Sequence, residues 1–288
     1  MEIGAADVSL AESAVAALMQ ELEAYPKPGL VSPRDSGAHA DMDHALMCQS
    51  AQALFRPFAC IAAAGREARP FKEYLVHLGL AAEKEMLRAT GGINTHRGAI
   101  FTLGMLLAAM ARAESTSGPS TPEGIRAALL ETWGDALQAH AAAEVSPASH
   151  GALARKATGA GGARAEAAHG FPEIFETGLP VYRAALASGL DSNAARIQTL
   201  FALMESAEDS NVIFRGGTDA ATFVRRSASE FLSAGGCARD GWFARAEELH
   251  REFIRRNLSP GGCADLLAGT LLVAEGYAAR IKADSRPA

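Results

Sequence analysis

The stretch GGINTHRGAIFTLG, Gly91 to Gly104, sets a glycine pair, an amide, a hydroxyl, an imidazole and a guanidinium just ahead of an apolar helical run. Glycine permits positive φ and close backbone approach to a ligand. The unpaired N–H groups and positive dipole end of a helix start favour an anion. Three further stretches combine small residues with an arginine or an amide: AGGARAE around Arg164, SNVIFRGGT around Arg215 and RRNLSPGGCAD around Asn257. Singly, each is explained as a glycine helix stop followed by a solvated arginine. Together they point to a polyanionic small molecule gripped from several sides.

Carboxylates accompany these stretches: Asp41 and Asp43 in GAHADMD, Glu83 in AAEKEM, Glu166 in ARAEAAHGFP, Asp209 in SAEDSN and Asp265 in CADLLA. A triphosphate is normally carried with Mg2+, which takes one or two carboxylates plus phosphate oxygens and waters, so acids beside anion-binding loops have a chemical purpose. Each also reads as a surface charge or a helix N-cap, Asp41 most plainly. His96 and His39 lie in polar, glycine-containing loops. For His96 the functional roles are phosphate donor or acid/base group, because an imidazole titrates near working pH. The sequence has no HExxH or paired Cys/His spacing, which disfavours zinc, and neither a Walker A motif nor GxGxxG.

The elements that must position these groups read as helices. The chain is rich in alanine and poor in valine and isoleucine, and strand-like alternation is hard to find. SLAE at Ser9 is a capping-box pattern, followed by Val15, Leu18, Met19 and Leu22 at helical spacing until PKPG stops the run. The same reasoning places helices near 9–24, 41–65, 71–89, 95–113, 122–141, 148–157, 172–188, 192–207, 219–234, 240–256 and 263–282, with Pro57 kinking or splitting the second. The expectation is one all-α domain over 1–288 of about ten to eleven helices, with a surface loop at 114–121 and no repeat period of the solenoid kind.

With 288 residues, 49% of them hydrophobic, the chain can bury a sizeable core. The formal net charge of −6 opposes a broad nucleic-acid-binding surface. Cys48, Cys60, Cys237 and Cys263 form no CxxC pair and read as reduced core cysteines. The start carries no signal-peptide pattern, and no apolar run reaches the roughly 18 residues of a membrane span. A cytoplasmic protein is expected. Apolar residues on several sides of 95–113 and 263–282 favour a homodimer.

In order, YPKPGLVSPRDSGAHADMD, GGINTHRGAIFTLG, GGARAEAAHGFP, EDSNVIFRGG and FIRRNLSPGGCADLLAGTLL resemble the triphosphoribosyl-dephospho-CoA synthases, over nearly the whole chain. That family makes the prosthetic-group precursor of citrate lyase and malonate decarboxylase. The VSPRDSGAHADMD version looks more like the malonate decarboxylase member. The family pattern has glycine at the position of Ala165, threonine at Ser210 and commonly serine at Cys263, small-for-small departures that touch only fine geometry.

The resemblance implies that ATP and 3′-dephospho-CoA are the substrates, that adenine is released and that the triphosphoribosyl group joins the CoA ribose 2′-hydroxyl. The product then passes toward an acyl carrier protein, with no nucleic acid or membrane partner. On that basis Lys27, Arg97, Arg164 and Arg215 are assigned to phosphates, and Asn94, Thr95, Asn211 and Asn257 to ribose, base or phosphate hydrogen bonds. Glu83, Asp209 and Asp265 are assigned to Mg2+, and Asp41, Asp43, His96 and Glu166 to the glycosidic bond. The rival readings are an all-α Mg2+-dependent nucleotide pyrophosphohydrolase, which would release pyrophosphate or ADP without adenine, and a helical CoA-binding protein without turnover.

Overall fold

The structure is a computed structural model that describes residues 2–117, 121–143 and 162–284. Helix α1 (Ala5–Glu23) begins before the SLAE pattern, because the Asp7 carboxylate accepts the Gly4 N–H at 3.0 Å and makes Gly4 the start. The expected 41–65 helix is two: α2 (His44–Ala53) and α3 (Phe55–Arg66). They break at Leu54, in keeping with Pro57, which cannot donate to the carbonyl four residues back and crowds it.

A π-helical turn at Phe71–Leu75 leads into α4 (Val76–Ala89), and α5 (Arg97–Ser117) follows the glycine pair. Helix α5 runs through what was expected to be the start of the 114–121 loop. Thr121 caps α6 (Pro122–Ala142) by accepting the Gly124 N–H at 3.1 Å, with proline at the first helical position as expected. The expected 148–157 helix lies outside the described residues. Beyond them come α7 (Gly162–Ala168), a π-helical turn at Glu173–Gly178, α8 (Leu179–Ala187), α9 (Ser192–Ser206), α10 (Ser210–Ser233), α11 (Trp242–Arg255) and α12 (Gly261–Asp284). Among the described residues there is no strand, so the fold is all-α.

Two stretches read as loops are helical. Arg164 and Glu166 stand on α7, and Asn211 and Arg215 on the first turns of α10. The pair Gly216–Gly217 reads as a stop but only kinks α10, with Gly217 at φ 68°.

Helix α5 is the central member. Ala99, Leu103, Leu106, Leu107, Ala108 and Ala109 are fully buried, and α1, α3, α6 and α12 pack around them. Helices α3 and α5 approach closely at Gly65, where a Cβ would lie 2.3 Å from Ala108 Cα. Through Gly276, most apolar residues of α5 and α12 that favoured a homodimer are covered within one chain. Cys237 and Cys263 are buried, Cys48 and Cys60 partly buried, and all four are free. Among the described residues no helix is long and apolar enough to cross a membrane.

Candidate active site

Helices α5, α10 and α12 all begin at one cleft of about 800 Å3, walled also by α4, α7 and the loop following α1. Three N-terminal dipoles therefore face one space, an arrangement that favours anionic groups.

Asp209 organises two of these starts. Its Oδ1 accepts the N–H groups of Asn211 (2.8 Å) and Val212 (3.2 Å), and its Oδ2 accepts that of Cys263 (2.9 Å). One buried carboxylate thus caps α10 and ties α12 to it. A Cβ on Gly262 would lie 3.0 Å from Asp209 Oδ2, so glycine there keeps α12 close. Burial raises the Asp209 carboxyl, against the pull of its three N–H donors. Asp265, further along α12, is raised well above the carboxylate range by burial, then by Asp209 and Glu21.

Glu21 comes from the last turn of α1 and holds Lys27, whose ammonium is 2.5 Å from Glu21 Oε1 and 2.7 Å from Glu21 O. Lys27 is 0% exposed, so its charge is matched inside the protein instead of lying open to a ligand. The loop carrying it is pinned from α11, where His250 Nδ1 lies 2.6 Å from Lys27 O.

His96 is buried at the start of α5. Its Nδ1 lies 2.8 Å from Ser50 Oγ, which is 2.6 Å from Thr95 Oγ1, while its Nε2 has no partner among the described residues. Burial, reinforced by the Lys27 ammonium, pushes the imidazole down to about 4, so it is neutral at pH 7. In the tautomer whose Nδ1–H donates to Ser50, Nε2 is a lone-pair acceptor in the cleft lining.

On another wall Arg215 Nη2 donates to His39 Nδ1 at 3.2 Å, which leaves Nε2–H to donate to Ser259 Oγ at 2.8 Å. Burial and then Arg215 lower the His39 pKa. Asp41 stands at the rim, 3.8 Å from His39. Arg97 pairs with Glu83 at 3.1 Å, also at the rim. Glu166, on α7, accepts the Glu173 N–H at 3.2 Å. Burial, with the Glu173 and Glu176 carboxylates adding, pushes its carboxyl up to about 7.

The cleft therefore brings together Lys27, Asp41, Glu83, Asn94, Thr95, His96, Arg97, Arg164, Glu166, Asp209, Asn211, Arg215 and Asp265. Two candidates stand outside its lining. Asp43 caps α2, accepting the Leu46 N–H at 2.8 Å. Asn257, at φ 55°, accepts from Arg215 Nη1 at 2.9 Å and so steadies that guanidinium. Sequence reasoning missed Glu21, Ser50, Ser259 and Gly98. Gly98 and Ser259 lie inside two of the quoted stretches, and the signal for Glu21 was a glutamate between Leu18 and Leu22 on the apolar stripe of α1.

For a divalent cation, Asp209 and Asp265 lie on adjoining helix starts, whereas Glu83 is at the rim with Arg97. Among the described residues no group of three or more His, Cys, Asp or Glu side chains is arranged to hold a metal. The two acids that lie together are thus Asp209 and Asp265, and Mg2+ takes one or two carboxylates when phosphate oxygens and waters complete its shell.

Converging helix starts, arginines and shielded acids define a helical protein with a cleft suited to an anionic small molecule. Residues 7–282 match the family described as ATP:dephospho-CoA triphosphoribosyl transferase. A protein of Stutzerimonas stutzeri named probable 2-(5''-triphosphoribosyl)-3'-dephosphocoenzyme-A synthase is 42% identical over 269 residues, 92% of this chain and 90% of its own. Proteins of the same name from Azotobacter vinelandii and Acinetobacter calcoaceticus are 41% and 37% identical, over 91% and 89% of this chain and 89% and 87% of theirs. The chain belongs to the ATP:dephospho-CoA triphosphoribosyl transferase family. No solved structure matches it significantly.

Proposed function

We propose that the protein transfers the 5-triphosphoribosyl group of ATP to the ribose 2′-hydroxyl of 3′-dephospho-CoA and releases adenine. The observation that supports this most is the family membership joined to a cleft where three helix starts and arginines face the same space as shielded acids. The bond broken is the N-glycosidic bond of ATP, and the bond formed joins that ribose carbon to the acceptor oxygen. The acceptor proton is lost and adenine gains one, and because no phosphorus–oxygen bond is made or broken the triphosphate is untouched. Such a reaction needs a phosphate grip, negative charge near an oxocarbenium-like centre, a proton donor for adenine and an acceptor for the hydroxyl proton.

Arg97, Arg164 and Arg215 hold phosphates in this reading, and Asn94, Thr95 and Asn211 bind ribose or base edges. Glu166, with a pKa of about 7, is the donor for departing adenine at neutral pH. Neutral His96 offers Nε2 to the incoming hydroxyl. Asp41 lies nearest the open side, and Asp43 keeps its capping role. Mg2+ would be held by Asp265 and Asp209 and would supply charge neutralisation to the triphosphate.

Supply of the malonate decarboxylase acyl carrier protein, by way of a product handed on in the cytoplasm, is the finer assignment and rests on the VSPRDSGAHADMD stretch. Chromatography of a reaction with ATP, Mg2+ and dephospho-CoA tests the chemistry. Free adenine should appear one for one with dephospho-CoA consumed. Pyrophosphate or ADP without adenine would favour phosphate cleavage, and stabilisation by ligand without turnover would leave a binding protein.

A further inference from the structure

The π-helical turn and α4 line the cleft with Leu75, Val76, Gly79 and Leu80, ending at Glu83. Phe101 and Met105 of α5, with Met42 and Met47 from the loop and α2, line the same cleft, and the His140 ring of α6 lies beside Phe101 at 6.0 Å between centroids. The cleft lining thus has an apolar lobe among its charged groups, and Leu80 in it is 50% exposed.

Gly79 is the telling residue. Glycine is the poorest helix former after proline, so a glycine inside a helix usually answers a steric or conformational need. Gly65 and Gly98 have a steric one, since a Cβ on either would collide with Ala108 or Asp265, and Gly91 and Gly92 have positive φ. Gly79 has neither: its φ is not positive, and among the described residues a Cβ there would meet no atom within 4 Å. What its missing side chain leaves open is the lobe.

We infer that this lobe is the subsite for the pantetheine arm of dephospho-CoA, and that Gly79 keeps the passage for it clear. The inference rests on the transferase reading above and goes further by dividing the cleft between its two substrates. Phosphates belong with the helix starts and arginines. The arm is the part of the acceptor that ATP lacks, a long uncharged chain with a dimethyl branch and a soft sulfur at its tip. Aliphatic and thioether walls complement the methylenes, dimethyl branch and sulfur of such a chain.

The test is Gly79→Leu, which fits the helix and touches no neighbouring side chain at its Cβ. The melting temperature should stay level or rise. With each substrate varied in turn, KM for dephospho-CoA should rise about tenfold or more while KM for ATP stays within about twofold, the pattern produced when binding of one substrate alone is weakened. A rise confined to ATP would place adenine in the lobe, and an unchanged or equal effect on both would make Gly79 incidental; either result overturns the inference. Calorimetry compares dephospho-CoA with ADP, which lacks the arm. Wild type should bind dephospho-CoA more tightly, and Gly79→Leu should erase the difference. If wild type releases no adenine, the transferase reading fails while the calorimetric comparison still decides the lobe.

Discussion

Gly98 and Asp265 share one space: a Cβ on Gly98, in the first turn of α5, would lie 2.0 Å from Asp265 Oδ2 on α12. The carboxylate can sit at the cleft floor only because the facing residue is glycine. Gly98→Ala should therefore act on the reaction through Asp265. A displacement of about 1 Å from productive geometry can cost on the order of 100-fold in rate. Adenine release should fall by about that factor, with a loss similar to that in Asp265→Asn, while circular dichroism still shows a folded helical protein. Wild-type rates in Gly98→Ala would remove Asp265 from the chemistry.

Glu166 sets a pH limit. A general acid whose pKa is about 7 is protonated below that value, so kcat should fall as pH rises through about 7. Glu166→Gln should lower kcat by about 100-fold or more and abolish that limb. A pH profile unchanged in the variant would assign proton donation elsewhere. The sign for stability is separate: the folded state keeps a proton that the unfolded state releases between about 4.5 and 7, so stability from this group declines as pH rises across that window.

His96 acts in the opposite sense. Its pKa is depressed from 6.5 to about 4 on folding, so its contribution is complete above 6.5 and is lost as pH falls toward 4. The full effect is about 3 kcal/mol, a shift of some two and a half units at 1.36 kcal/mol each. Urea titrations of wild type and His96→Gln over that range should show a steeper acid loss in wild type. Parallel curves would mean that the imidazole is not buried neutral.

The Glu21–Lys27 pair should behave as a buried ion pair. Lys27→Met leaves Glu21 buried without its partner and should destabilise the fold by about 3–5 kcal/mol, whereas Glu21→Leu combined with Lys27→Met should recover most of it. Equal melting temperatures for the single and double variants would contradict the pairing.

Legibility in the sequence followed how local each signal was. The helical class came from alanine abundance and apolar spacing, and most cleft residues came from motifs in which glycine, arginine and acid lie side by side. The start of α10 was missed because Gly216–Gly217 reads as a stop, while its true determinant, the Asp209 cap, also reaches α12 across the fold. Ser50 and Glu21 were missed for a related reason. Both sit inside helices, far in sequence from the groups they serve, and only packing brings Ser50 to His96 or Glu21 close to Asp265. Asp43 was over-read, since an acid before an apolar helix has a local use as a cap.

The central claim is that the ribose–adenine bond breaks while the triphosphate stays whole. ATP carrying 32P at the γ position and 3H in the adenine ring separates the alternatives when incubated with the protein, Mg2+ and dephospho-CoA. The account predicts 32P in a product that co-elutes with the dephospho-CoA adduct and 3H as free adenine, in equal amounts. Recovery of 32P as phosphate or pyrophosphate, with 3H still in a nucleotide, would contradict it.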